Sequence, residues 1–132
     1  MARRIIANVL TFIVALGIMY VGVSYLFAPA FTAPSFGFSV WPTGAEADIL
    51  SVKGMRDIVS GVIPLVLLAL GQRRALGWVL LCEALIPLAD GTLILVHGGS
   101  AAAAFGIHYA TTVLVVAAGV LQLQVARRSS PA

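Results

Sequence analysis

Four long apolar stretches follow one another along the chain, separated by short segments rich in turn-forming or charged residues. Each stretch is close to the roughly 20 mainly apolar residues that a helix needs to cross a bilayer. Proline, glycine and paired arginine residues mark the ends of the stretches, as they do at helix ends. The pattern therefore predicts transmembrane helices at residues 5–27, 49–71, 75–96 and 101–126, with an outer loop at residues 28–48.

The outer loop lacks a sustained hydrophobic period and contains several helix-breaking residues: Pro34, Gly37, Pro42 and Gly44. We predict a loop or a short broken element there. Its aromatic side chains are Phe31, Phe36, Phe38 and Trp41. Such side chains favour the membrane–water interface, but the same cluster also fits a lid over a binding site, with Trp41 as a ligand contact.

The composition indicates a lipid environment. Hydrophobic residues make up 61% of the 132 residues, charged residues only 10%, and the mean hydropathy is +1.05. A water-soluble globule needs more polar surface than this. The predicted fold class is all-α: an integral membrane bundle of four transmembrane helices, left-handed as most such bundles are, in a single domain over residues 1–132.

The net charge of +3 reflects membrane topology and not nucleic-acid binding. Most of the basic residues form pairs next to apolar stretches: Arg3/Arg4, Arg73/Arg74 and Arg127/Arg128. Because basic residues concentrate on the cytoplasmic side, we predict cytoplasmic termini and a multi-pass protein of the inner (plasma) membrane. The first stretch exceeds the roughly 7 to 15 apolar residues of a secretory signal, so it is predicted to be a retained helix.

A single cysteine, Cys82, lies within the third stretch. One cysteine excludes an intrachain disulfide and a cysteine-rich metal site, and its expected role is that of a small packing residue. The sequence contains no nucleotide-binding, metalloprotease or serine-hydrolase motif. We predict neither a metal site nor a cofactor.

Charged side chains inside the predicted helices are the most informative feature for function: Lys53, Arg56, Asp57, Glu83 and Asp90. Each costs at least ~2.5 kcal/mol at the centre of a bilayer unless it is paired or hydrated. Helical spacing places polar residues on one face of each of three helices: Lys53, Arg56, Asp57 and Ser60; Glu83 and Asp90; His108, Thr111 and Thr112. We expect these faces to meet inside the bundle.

The polar faces also share a depth. With a rise of ~1.5 Å per residue, Asp57, Asp90 and His108 lie about 9–12 Å below the outer helix ends. Tyr20 falls about 10 Å below its own helix end, and Glu83 lies deeper, at about 21 Å. The sequence thus predicts a polar pocket open to the outer face, with Glu83 at its floor. Carboxyls outnumber bases by one, so either a carboxyl, with Glu83 favoured, holds a proton or His108 carries one.

Three interpretations of these residues remain open. Ion pairs alone could lock the helices together. The number of ionisable groups favours instead the binding of a small lipophilic molecule and acid/base chemistry on it, such as isomerisation, cyclisation or hydration. A proton-coupled transporter would use the same acids, and with only four helices it would require a homodimer or a larger assembly. The predicted catalytic residues are Asp57, Glu83, Asp90 and His108, and the predicted ligand contacts are Tyr20, Trp41, Lys53, Arg56, Ser60 and Thr112.

The chain resembles a family of small four-helix membrane proteins of bacteria and fungi catalogued as a domain of unknown function. The resemblance rests on the motif VKGMRD at residues 52–57, continued by Ser60 and Gly61 and by residues 83–90. It covers nearly all of the chain after the first helix and implies a four-helix bundle, without catalytic residues to carry over. That family looks related to the DoxX-like superfamily. Some DoxX-like proteins resemble accessory subunits of quinone-linked oxidoreductases, which implies a membrane partner protein as a further expectation.

Overall fold

The computed structural model describes residues 1–129. The protein is all-helical, with 87% helix and no strand in that range. The helices are α1 (Ala2–Phe27), α2 (Pro29–Phe36), α3 (Asp48–Ala69), α4 (Arg73–Glu83), α5 (Leu85–Val96), α6 (Ala101–Ala103) and α7 (Ala110–Ser129). A 3-10 turn, Gly44–Ala47, precedes α3, and a π-helical turn, Ala104–Tyr109, joins α6 to α7.

Within the described range, three helical segments are long and apolar enough to cross a membrane: Ala2–Phe27, Arg73–Val96 and Ala101–Arg128. They indicate a membrane protein. α3 has 22 residues, a sufficient length, but it carries four charged side chains: Asp48, Lys53, Arg56 and Asp57. Composition alone therefore separates α3 from the other three segments.

The predicted third helix is divided in two. α4 ends at Glu83 and α5 begins at Leu85, with Ala84 between them. Pro87 has no N–H to donate to the Glu83 carbonyl oxygen, and its ring crowds that carbonyl. The proline thus accounts for a break that the apolar pattern of residues 75–96 does not reveal.

A short helix occupies part of the predicted outer loop. Pro29 suits the first turn of α2, where its fixed φ is helical and its missing N–H is not needed. The hydroxyl of Thr32 bonds to the carbonyl oxygens of Ala28, at 2.9 Å, and Ser24, at 3.1 Å, which ties α2 to the end of α1. α2 ends at Gly37, whose φ of +121° favours glycine and whose carbonyl accepts from Ser100 N–H at 2.8 Å. Both ends of α2 are therefore fixed to the bundle.

α1 and α3 are in backbone contact. A Cβ atom on Gly22 would lie 2.5 Å from the Gly54 carbonyl oxygen, and one on Gly54 would lie 2.7 Å from the Gly22 oxygen. Further along, a Cβ on Gly61 would lie 2.5 Å from the Ala15 oxygen. Small residues permit this close approach in lipid, where packing takes the place of the hydrophobic drive.

A second pair forms between α4 and α7. A Cβ atom on Gly77 would lie 3.0 Å from the Gly119 carbonyl oxygen, and the reverse distance is also 3.0 Å. Leu76, Leu80 and Val115 are buried beside this contact. The bundle is thus two tightly packed helix pairs.

Polar side chains join the two pairs at the end of the bundle where α1 begins and α7 ends, here called the termini end. The Gln122 side chain is fully buried and donates to Thr11 Oγ1 at 2.9 Å and to the Ala7 carbonyl at 3.2 Å. Its Oε1 accepts from Arg73 Nη1 at 2.7 Å, and the same nitrogen donates to Asn8 Oδ1 at 2.9 Å. α1, α4 and α7 are therefore connected by a satisfied network of hydrogen bonds.

We expect Gln122→Leu to lower the free energy of unfolding by about 1–3 kcal/mol, because it leaves buried partners of the amide without hydrogen bonds. Thermal unfolding of the protein in detergent measures the effect. Gln124→Leu is the matched control, since Gln124 lies on the same helix but is exposed. Equal melting temperatures for the two variants would contradict a stabilising role for the network.

Candidate functional site

The two helix pairs separate toward the opposite end of the bundle, here called the loop end, and enclose a cavity of about 900 Å³. α1, α2, α3, α5 and the π-helical turn supply its walls, with the first turns of α7. α5 packs chiefly on the π-helical turn and not on α1 or α3. The space therefore lies between α5 with the π-helical turn on one side and α1 with α3 on the other.

The cavity brings together seven of the ten predicted site residues: Tyr20, Lys53, Asp57, Ser60, Glu83, Asp90 and His108. Asp57 and His108 are 7% and 6% exposed, whereas Lys53, Glu83 and Asp90 are half-buried. The common depth expected from helical rise is therefore realised as a common cavity. Their roles in binding or catalysis stay predictions.

Three predicted ligand contacts lie outside the cavity lining. Arg56 is exposed, because its position beside Asp57 turns it to the outer edge of α3. The Trp41 ring packs edge-on against Phe36, and its indole N–H donates to the Phe38 carbonyl at 3.1 Å. Thr112 donates to the His108 carbonyl at 2.9 Å, within its own helix.

Lys53 is held by one carboxylate and two rings. Its Nζ lies 2.6 Å from Asp57 Oδ2, which satisfies both charges inside the cavity. The same nitrogen is 4.7 Å from the centre of the Tyr25 ring and 5.2 Å from that of Phe36, both within cation–π range. Tyr25 was not predicted from the sequence. It lies about one turn after Val21 on α1, and this helical spacing could have placed it on the same inward face.

His108 links α2 to an acidic residue of α5. Its Nε2 lies 2.8 Å from the Phe36 carbonyl oxygen, which can only accept, so Nε2 carries a proton. Its Nδ1 lies 3.9 Å from Asp90 Oδ2, too far for a direct hydrogen bond. A lone pair on Nδ1 would repel an ionised Asp90, so a proton on either group would favour this arrangement.

The π-helical turn determines where the His108 ring lies. Such turns insert an extra residue and shift the phase of the side chains, often at functional sites. Gly91 of α5 leaves room beside it, since a Cβ there would lie 3.2 Å from His108 Cβ and 3.1 Å from Tyr109 Cε1. The close approach brings the imidazole next to α5 and Asp90.

Two prolines leave backbone acceptors beside the cavity. Pro64 cannot donate to the Ser60 carbonyl, and Pro87 cannot donate to the Glu83 carbonyl. Ser60 and Glu83 both line the cavity. Each of these positions therefore combines a polar side chain with a carbonyl oxygen that lacks its usual helical partner.

The rim of the cavity is uncharged. At the loop end α2 bounds the cavity, where the sequence predicted an open outer face, and the Phe36 ring lies against His108 with centroids 4.5 Å apart. The exposed lining residues lie mainly on α1, where they include Ile13, Gly17 and Tyr20, and Ile107 of the π-helical turn and Leu114 of α7 are exposed as well. The ionisable groups are thus inside, and apolar groups face the surroundings.

We expect Lys53→Met to destabilise the protein by about 1–3 kcal/mol or more, because it leaves Asp57 charged without a partner. Thermal unfolding in detergent measures the loss. Arg56→Met is the matched control, since it removes an exposed cation one turn away. The double variant Lys53→Met/Asp57→Leu should recover stability, and failure of the double variant to recover would contradict the pairing.

The protein is all-helical, and several of its helices are apolar enough to cross a membrane. Its cavity is lined by five acidic and basic side chains: Lys53, Asp57, Glu83, Asp90 and His108. Residues 15–122 match the family described as a domain of unknown function, DUF4267. The match spans most of the chain, so the chain belongs to this family, and the expected membership of a family of unknown function is confirmed. No curated protein and no solved structure matches the chain.

Proposed function

We propose that this chain is a four-span protein of the plasma membrane whose cavity binds a small lipophilic molecule and transforms it by acid/base chemistry. Both termini lie on the cytoplasmic side, next to the paired arginines. A relationship of the family to the DoxX-like superfamily belongs to the same proposal. The observation that carries it is the cavity itself, with an apolar rim and an ionisable interior.

The packing of α3 supports its role as the fourth span. Its exposed large side chains are apolar, from Ile49 through Val59 to Val66, and the charged exceptions are Arg56 and, at the first position of the helix, Asp48. Its other charged residues in the helix body, Lys53 and Asp57, face the cavity. A helix with an apolar outer face and a polar inner face suits a bundle surrounded by lipid.

The rim supports uptake from the bilayer. Exposed apolar side chains on the flanks of α1 and α7 would be solvated by lipid tails, and a lipophilic molecule dissolved there meets no charged group until it is inside. Binding sites for small molecules are commonly apolar cavities of this size with a few polar groups that fix orientation. The loop end, bounded by α2, is a less direct route.

The His108–Asp90 couple supplies the acid/base chemistry. With Nε2 fixed as a donor to Phe36, a proton carried by Nδ1 or by Asp90 can pass to a ligand between them, and the group that has lost its proton can take one back from the ligand. Glu83 lies seven residues before Asp90 on the same face, about 10 Å along the axis at helical rise. Two proton-handling groups at separate positions suit isomerisation, cyclisation or hydration, in which one site protonates and the other deprotonates.

Filling the cavity tests the binding proposal. Gly17 lines the cavity, and a Cβ there would meet no atom within 4 Å, so Gly17→Phe should occupy the space without a clash. We expect mass spectrometry of organic extracts to find a lipophilic compound with purified wild-type protein and to find it depleted with Gly17→Phe.

Gly106→Phe is the matched control for that comparison. Gly106 is also exposed, and a Cβ added there would meet no atom within 4 Å, but this glycine does not line the cavity. Equal amounts of every extracted compound from the two variants would contradict binding in the cavity.

Hydrogen exchange tests the chemistry. In D₂O, the compound bound to the wild-type protein should gain deuterium at carbon, and Asp90→Asn should slow this labelling about 100-fold or more, the usual scale of one general acid or base. Asp48→Asn, the same change at an exposed position at the start of α3, should leave the rate unchanged. Labelling by Asp90→Asn at the wild-type rate would exclude Asp90 from proton transfer.

Arg56 favours a second candidate role, that of a subunit in a larger membrane assembly. It is exposed among apolar side chains of α3 and forms no ion pair or hydrogen bond within residues 1–129. A cation at this place is stabilised by snorkelling to a headgroup or by an acidic partner. A homodimer or an accessory-subunit complex would supply such a partner.

A further inference from the structure

The cavity contains more acidic than basic groups. The carboxyls of Asp57, Glu83 and Asp90 line it. Among the described lining residues the bases are Lys53, which is a cation, and His108, which is a cation only when it is protonated. Arg56, the second base that the sequence predicted there, lies outside. Carboxyls therefore outnumber cations by two with His108 neutral, and by one with His108 protonated.

Glu83 is the carboxyl without a partner. Lys53 bonds to Asp57, and Asp90 lies near His108, but Glu83 makes no hydrogen bond or ion pair with the described residues. It is half-buried at the deep end of the cavity, beside Ile86 and Pro87. A carboxyl in such surroundings is stable with a proton bound or with a cation beside it.

Aromatic rings already hold one organic ammonium group in this cavity. The rings of Tyr25 and Phe36 flank Lys53 Nζ at cation–π distances. Further rings, those of Tyr20, Phe27 and Phe31, line the cavity toward its rim. Ring faces attract cations and repel anions, so this lining has the same charge preference as the surplus carboxyls.

An anionic ligand would find no free counter-charge. Lys53 is neutralised by Asp57 at 2.6 Å, and within the described lining the remaining titratable base is His108, whose Nδ1 faces Asp90. An anion would also face the unpaired Glu83. The cavity therefore disfavours carboxylates and phosphates, even with apolar tails.

From the charge surplus, the unpaired Glu83 and the aromatic lining, we infer that the cavity selects lipophilic organic cations, such as amines or onium ions with an apolar body, and that Glu83 is their counter-ion. This inference rests on the proposed function, in which the cavity binds lipophilic molecules. It adds the charge of the ligand and the residue that recognises it.

A pair of ions with the same shape and opposite charge tests the selection. The full chain is reconstituted in nanodiscs of zwitterionic lipid, and binding of tetraphenylphosphonium and tetraphenylborate is measured by equilibrium dialysis, with empty nanodiscs as the blank. We expect the cation to bind about tenfold or more tightly than the anion beyond the blank, and to displace the neutral dye Nile red from the cavity.

Variants then assign the counter-ion. Glu83→Gln should weaken tetraphenylphosphonium binding about tenfold or more, because one member of a poorly solvated charge pair is lost. Glu83→Asp keeps the charge and should retain most of the binding. Glu46→Gln is the matched control, the same change at an exposed residue of the 3-10 turn. Unfolding temperatures of all variants check that each remains folded.

The outcomes separate the inference from the proposed function. Suppose that Nile red binds to the wild-type protein and that Gly17→Phe blocks this binding. The inference alone is then overturned if the wild-type protein shows no preference for the cation, or if Glu83→Gln binds the cation as well as the wild-type protein does. No binding of either ion or of Nile red beyond empty nanodiscs overturns the proposed function as well.

Discussion

A charged group surrounded by lipid must be neutralised, hydrated or brought to the surface, and the arrangement of this protein follows from that constraint. Its polar groups are divided between two places. At the termini end, Arg73 is satisfied by the amide oxygens of Asn8 and Gln122. At the loop end, ionisable groups surround a cavity in which Glu83 has no partner among the described residues. The first cluster is complete and stabilises the bundle, whereas the second is incomplete and leaves room for a ligand.

The helix contacts explain why the cavity forms at one end. Backbone contact through Gly22 and Gly54 joins α1 to α3, and contact through Gly77 and Gly119 joins α4 to α7. The hydrogen bonds of Gln122 connect these pairs at the termini end. Toward the loop end α5 packs chiefly on the π-helical turn and not on α3. Tight packing in each pair thus leaves a gap between the pairs.

Much of the fold follows from the sequence because apolar length and helix-ending residues are local signals. The shared depth of Asp57, Asp90 and His108 was predictable for the same reason, since it depends only on helical rise. Arg56 and Thr112, which we predicted as ligand contacts, lie outside the cavity lining, because a stripe of i, i+3 and i+4 residues is wider than the face that a neighbour covers. The rotation of a helix depends on its partners, which the sequence of one helix does not contain.

The termini-end network was missed because its members are neutral or flanking residues. Gln122 in the last apolar stretch and Thr11 in the first were visible, yet a single amide or hydroxyl in a span has too many potential partners for pairing to be predicted. α2 was also unexpected as a helix, since Pro29 and Pro34 read as breakers. Its formation depends on contacts at both ends, to Ser24 and Ser100, that are distant from its own residues.

Departures from regular helix are concentrated around the cavity, and that distribution supports the proposed binding site over ion pairs that serve packing alone. Pro87 beside the break at Ala84 and Pro64 in α3 each remove one backbone hydrogen bond, and the π-helical turn that carries His108 departs from the regular i→i−4 pattern. In lipid such losses are costly unless other groups compensate. A bundle that needed ion pairs only for packing could form them from regular helices, as the Gln122 network does with its hydrogen bonds. Ser60, Glu83 and His108, which lie at or beside these departures, all line the cavity, and the proposed binding of a ligand there would account for the cost.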